Sequence, residues 1–402
     1  MRSQTYYRRE ILKWLGAAGV FAGCTPLSAV FASDIKAASA LPRLILFEMF
    51  GANDNLNTLV PYKDSLYKHY RPSINLTAKE YTPVTDELAF NNALSPLLPA
   101  WEQGQMTVVQ DVGYPNSILS HFKSIELIEN GLSRTSTKQV GWVANTISRN
   151  ASLNDKSKWD IESVWAGGHI QSMLGTDIVP FSPTSGVFNK YLNKYNQKDA
   201  LLLTNRLGNT ISGYSAASDA LKGRIPEKSR FQKRFHSYDL NEAKVGHQCS
   251  DILRLIEGGI QAPAYKLGMS GFDLHSRMRG AHEQVLGRAA RYLAKLRQSL
   301  IELNEWDNTL IMAYSEFGRR AKENSSGGTD HGTSGPVFLL GGKVKGGIKG
   351  RRADLENLNS DGNLHYVTDY REVFSTVVDH WWKADVNQFK DEGFMPLGNI
   401  IS

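Results

Sequence analysis

Carboxylate and imidazole side chains recur in this chain at the ends of apolar runs. Asp54 follows "LILFEMFGA", and Ser120 and His121 follow "MTVVQDVGYPNSIL". Asp273 and His275 follow "YKLGMSGF", Glu316 follows "TLIMAYS", and Asp330 and His331 stand side by side in "GGTDHGTSGP". Carboxylate oxygen and neutral imidazole nitrogen are the ligands that zinc, manganese and similar divalent ions take. Two such ions about 4 Å apart can clamp the attacking and leaving oxygens of a displacement at phosphorus. An adjacent Asp and His on a glycine-rich loop can present two ligands to one site, and the glycines admit a close backbone approach. Singly, each of these residues reads as a turn former, a helix cap or a surface pair. Together they amount to a set of carboxylates, imidazoles and one hydroxyl gathered at one edge.

The elements that must position them are strands. "LPRLILFEMF", "MTVVQDVG", "APAYKLGMSG", "NTLIMAY" and "PVFLLGG" are apolar runs of strand length. Between them lie helical patterns, in "KSIELIENG" and in Arg277 to Leu303, where Val285, Ala289, Leu293, Leu296 and Leu300 recur at helical spacing. "SPLLPAWEQG" reads as a short helix and "YREVFSTVVDHWW" as a closing one. Strands alternating with helices predict an α/β fold with a largely parallel sheet and helices on both faces. Ligands bind such sheets beyond the carboxyl ends of the strands, where these polar residues fall. Residues 151–262 lack a clean period and read as a cap or insertion on a domain spanning 41–402.

The first forty residues form a separate signal segment. Arg8 and Arg9 precede "EILKWLGAAGVFAG", a moderately apolar run with glycine and alanine. This resembles a twin-arginine signal, with the Tat translocase as partner and the periplasm as destination. "VFA" and "ASA" fit small-residue cleavage sites, and "FAGC" resembles a lipoprotein box that would anchor the chain through Cys24. With that segment gone Cys249 is the only cysteine, so no internal disulfide or thiolate metal site is expected. The segment also carries half of the net charge of +6, which leaves no basic stripe for nucleic acid. No later run is long and apolar enough to span a bilayer.

"FGANDNLNTLVPY", "SHFKSIELIENG", "GFDLH", "YSEFGRR", "GTDHGTSGPVFLLGGKVKGGIKG" and "VTDYREVF" are similar to the motifs of the exported domain of unknown function 1501 family. Its members are grouped with the alkaline phosphatase and sulfatase superfamily. The resemblance implies an alkaline-phosphatase-like fold in which Asp54, Asp330 and His331 bind one metal, with Ser120 beside it as nucleophile. Asp273 and His275 would bind a second, with His365 offered as a further ligand. Glu316 would be a ligand or stand behind one, and Arg319 or Arg371 would hold an oxyanion through a bidentate contact. The C-x-P-x-R or S-x-P-x-R signature of sulfatases is absent, and so are a G-x-S-x-G elbow, a P-loop and an H-E-x-x-H motif. Two functions follow from these residues. One is a metal-dependent hydrolase of phosphate or related esters. The other is a non-catalytic exported protein that binds a surface polymer on the same fold.

Overall fold

The first strand, β1 (Arg43–Phe50), is buried along almost its whole length. A central strand of a sheet covered on both faces has no side that can be polar, so its sequence is a continuous apolar run. Leu44 and Leu46 point into one core, and Ile45, Phe47 and Met49 into another. The computed structural model describes residues 41–402 except 133–139, 176–177, 179, 184–220, 222 and 353. The expected signal segment, with its candidate cleavage sites and Cys24, lies outside the described residues, which belong to one compact unit.

The other strands are β2 (Leu59–Val60), β3 (Tyr81–Pro83), β4 (Ala89–Asn91), β5 (Met106–Gly113), β6 (Val164–Trp165), β7 (Ala264–Ser270), β8 (Thr309–Tyr314), β9 (Gly318–Glu323), β10 (Thr329–Gly332), β11 (Gly335–Leu340), β12 (Gly347–Lys349) and β13 (Thr368–Asp369). The main sheet has the order β12-β5-β11-β8-β1-β7-β6, with β13 also beside β5. β1 runs parallel to β7 and β8, and β6 parallel to β7. β12 and β13 run parallel to β5. Among the described strands of this sheet only β11 is reversed, antiparallel to both β5 and β8. The expected α/β architecture with a mostly parallel central sheet is therefore the one observed.

Helices cover both faces. On one side α2 (Leu240–Glu257) and α3 (Met278–Glu302) pack Ile252, Leu253, Leu293 and Leu296 against the sheet. On the other, α1 (His121–Asn130) and α4 (Tyr370–Thr376) contribute Leu127, Ile128, Val373 and Phe374. α1 closes on Gly131 at φ 68°, the left-handed residue that stops a helix. Within 151–262, β6 adds an edge strand and α2 supplies core side chains.

The reversed strand explains the placement of the Asp-His pair. Because β11 is antiparallel, its start lies at the edge where the parallel strands end. Thr329–Gly332, just before it, is not a free loop. It forms β10, paired antiparallel with β9, with His331 opposite Arg319 and an irregularity between Thr329 and His331. That hairpin brings the pair to the exits of β1, β7 and β8.

Candidate metal centre

Three side chains from three elements converge at this edge. Ligand atoms of His121, Asp273 and His331 all lie within 4.8 Å of one another. His121 is the first residue of α1, Asp273 follows β7, and His331 is on β10. His275 adds a further nitrogen, its Nε2 3.0 Å from Asp273 Oδ1 and 3.0 Å from His331 Nε2.

Each imidazole of the trio is oriented from behind. His121 Nδ1 lies 2.6 Å from Glu316 Oε1, and His331 Nδ1 is 2.9 Å from the Leu119 carbonyl. Metal-binding histidines are held in this way, one ring nitrogen on a carboxylate or carbonyl and the other turned to the ion. The His121 ring is also wedged between aromatics, stacked on Phe317 at 5.0 Å and edge-on to Phe50 at 5.4 Å. Its Nε2 is buried and makes no hydrogen bond, although Asp273 Oδ2 is 3.4 Å away. A buried ring nitrogen without a partner, facing a carboxylate and a second imidazole, fits a divalent ion by the chemistry of its donors.

Asp273 rests on Arg319. The guanidinium is buried and donates to Asp273 Oδ1 at 2.6 Å. It also donates to the carbonyls of Gly51, Ala52, Phe272 and Thr329. Arg319 thus ties the exits of β1 and β7 to the hairpin. Partial burial works against the charge on Asp273, but Arg319, then His121 and His331, outweigh it and bring the carboxyl to about 2. For His121 the Glu316 hydrogen bond acts upward, against burial, and the pKa is raised. Glu316 itself is buried and accepts from the Gly51 N–H at 2.9 Å. Gly51 is at φ 118°, and a Cβ there would lie 2.5 Å from the Asp273 nitrogen, so only glycine lets β1 leave so close to β7.

The remaining expected residues divide. Asp330 lies beside His275, Oδ1 to Nδ1 at 3.4 Å, and accepts from Asn324. Ser120 is the N-cap of α1, yet its side chain makes no capping bond, and the residue is half-buried. Asp54 is not gathered with the trio. It is buried against Arg71, Oδ1 to Nη1 at 2.7 Å, and accepts from the Asn57 N–H and the Thr329 hydroxyl. Arg371 grips Asp369 with two nitrogens at the start of α4 and lies over the Phe394 ring at 3.7 Å. His365 is exposed just before β13 and makes no hydrogen bond among the described residues. His121 joins the set instead. Its signal is present in "SHF" at the exit of β5, where the family resemblance assigns a role to the serine and none to the histidine.

The family described as Protein of unknown function (DUF1501) matches residues 198–387, which bears out the resemblance expected from the motifs. The matched span holds Asp273, His275, Glu316, Asp330 and His331. No curated protein matches the chain. Three similar solved structures illustrate its neighbours. A protein in the alkaline phosphatase superfamily from Vibrio parahaemolyticus is 9% identical, with 84% of this chain and 66% of that one covered and a TM-score of 0.39. Alkaline phosphatase from the Antarctic bacterium TAB5 is 12% identical, with 77% and 94% covered and a TM-score of 0.35. The PsFucS1 sulfatase from Pseudoalteromonas sp. is 11% identical, with 89% and 71% covered and a TM-score of 0.39.

Proposed function

We propose that the chain is an exported, metal-dependent hydrolase of phosphate or related esters. The observation that carries this reading is the His121–Asp273–His331 cluster, with its orphaned His121 nitrogen and an orienting partner behind each imidazole. These three residues would hold the ion, with His275 as a fourth donor. Zinc or manganese suits a nitrogen and oxygen set without thiolate. A divalent ion bound there supplies Lewis acidity and makes a hydroxyl or water more acidic.

The chain's own groups supply the rest. Ser120 is next to His121 and spends nothing on capping, so its hydroxyl is free to attack the central atom of an ester. The N–H groups of the first turn of α1 lie at the same place and suit an incoming anion. Arg319 and Glu316 act as positioning residues, holding Asp273 and His121 in place. Asp54 and Arg371 are committed to ion pairs of their own and take no part.

Metal analysis of protein purified without chelators tests the centre. At least one divalent ion per chain is expected, and His121→Ala with His331→Ala should lose it. Full metal content in that double variant would remove both residues from the ligand set. Ser120→Ala should keep its metal and melting temperature while losing turnover of an aryl phosphate. If metal-loaded wild type cleaves no phosphate monoester, phosphodiester or sulfate ester, the non-catalytic reading, binding of an exported surface polymer, takes over.

A further inference from the structure

A second histidine–carboxylate pair lies at the same edge, next to Phe50, which also borders the His121–Asp273–His331 cluster. The Phe50 ring lies against His121, at 5.4 Å between centroids, and against His169, at 5.2 Å. His169 sits in the loop after β6, and both oxygens of Glu48 on β1 hold it. Oε2 accepts from the His169 backbone N–H at 2.7 Å, and Oε1 is bonded to ring Nδ1. Nε2 is left without a partner among the described residues. The His169 side chain is 37% exposed while that of Glu48 is only 3% exposed.

The backbone is shaped to make this clamp. Gly168 is at φ 81°, and a Cβ there would lie 2.6 Å from Glu48 Oε2. A Cβ on Gly268 of β7 would lie 2.5 Å from the Gly168 Cα. Two glycines therefore let the loop press onto the sheet directly over the carboxylate.

Behind Glu48 lies a buried polar network. Lys266 on β7 is 3.7 Å from Glu48 and bonded to Glu129 of α1. Tyr314 on β8 donates to Glu129 at 2.8 Å. The buried groups facing His169 are thus two carboxylates, one ammonium and a neutral phenol. Their charges balance only when the imidazole carries a proton, since an uncompensated buried carboxylate is costly. Burial works against the charge on His169, but the Glu48 hydrogen bond and charge outweigh it and the pKa is raised. Burial likewise opposes the charge on Glu48, and Lys266 and His169 bring its carboxyl down to about 2.

We infer that His169, clamped by Glu48, is the general acid of the proposed ester hydrolysis, donating the Nε2 proton to the leaving oxygen. This role rests on the hydrolase reading of the neighbouring cluster. In the step, Ser120, its hydroxyl proton already lost to solvent, attacks as the alkoxide, and the bond from phosphorus to the leaving oxygen breaks as the serine oxygen bonds to phosphorus. The leaving oxygen takes the His169 proton and departs as an alcohol. Water then attacks the phosphorylated serine, its hydroxyl staying on phosphorus as the bond to the serine oxygen breaks and returns the alkoxide, and its other proton restores the imidazolium. Glu48 is a positioning residue, since it fixes the tautomer and keeps Nε2 as the donor.

The test compares two esters on metal-loaded protein, nitrophenyl phosphate, whose leaving group needs no proton, and a simple alkyl phosphate, whose leaving group does. His169→Gln should lower kcat/KM for the alkyl ester by roughly 100-fold or more and for the aryl ester by less than about 10-fold. The alkaline limb of the wild-type pH profile for the alkyl ester should vanish with it, while metal content and melting temperature stay unchanged. Equal losses on both esters, no loss on either, or loss of metal would overturn the assignment and leave the hydrolase reading standing. If metal-loaded wild type cleaves neither ester nor any other phosphate or sulfate ester, the hydrolase reading falls and the acid role falls with it. Should the glutamine variant fail to fold, His169→Asn carries the same comparison.

Discussion

Asp54 and Arg71 show how one residue's partner changes its meaning. Both side chains are buried, at 2% and 0% exposure, and Arg71 also donates to Asn57 and to the carbonyls of Arg320 and Ala321. A carboxylate after the first strand resembles a metal ligand in sequence, but its cation lies 17 positions further on, where no local pattern connects the two. Asp54→Asn keeps the shape and removes the charge, which strands a buried guanidinium. The expected cost is about 3 kcal/mol, the lower end for a broken buried pair, read by urea denaturation, with metal content intact. The pH dependence carries a definite sign. Burial opposes ionisation of Asp54, Arg71 outweighs it, and the pKa is lowered. Its stabilisation is complete above the unfolded carboxylate value of about 3.9 and is lost as the pH falls through the depressed folded value. Wild type should therefore shed stability below about pH 4 more steeply than Asp54→Asn does. A variant that loses its metal and keeps its stability would instead make Asp54 a ligand.

The β9–β10 hairpin was the element least visible in the sequence. The strands of the main sheet are apolar runs, because both faces are covered, and "LILFEMF" or "LIMAY" could hardly be anything else. "GRRAKE" and "TDHG" have no such pattern. Their pairing is carried by backbone hydrogen bonds and by the buried Arg319, so glycine-rich text read as a loop forms a strand. The hairpin matters because it sets His331 opposite Arg319, which in turn holds Asp273. Gly318 is where it meets β11, and a Cβ there would lie 1.7 Å from the Ser334 carbonyl oxygen, a backbone atom that cannot step aside alone. Gly318→Ala should therefore shift β9 and lower metal affinity by about tenfold or more, since a ligand displaced by 1 Å is largely lost. Competition with a chromophoric chelator measures it. Unchanged affinity in a folded variant would show that the hairpin does not set the position of His331.

At the scale of the whole molecule, the order of the elements was legible and the partnerships across the sheet were not. Alternating strands and helices announced an α/β fold, and the polar residues at strand exits marked one edge of it. The single reversed strand, the clamp of Glu48 on His169 and the grouping of His121 with Asp273 depend on contacts between residues distant in sequence. Where the chain works is a separate question, carried by the residues ahead of the fold. No helix among the described residues is long and apolar enough to cross a membrane, and Cys249 is buried and free. Arg8 and Arg9 before an apolar run broken by Gly16, Gly19, Gly23 and Pro26 read as an address rather than an anchor. We propose export by the twin-arginine route, which carries chains already folded and would allow a metal to be acquired before crossing. Changing Arg8 and Arg9 together to lysine keeps the charge and removes the paired guanidinium groups that a receptor reads. The precursor should then accumulate in the cytoplasm, seen by fractionation and immunoblotting. If shortened protein still reached the periplasm in that variant, the two arginines would not be the export signal.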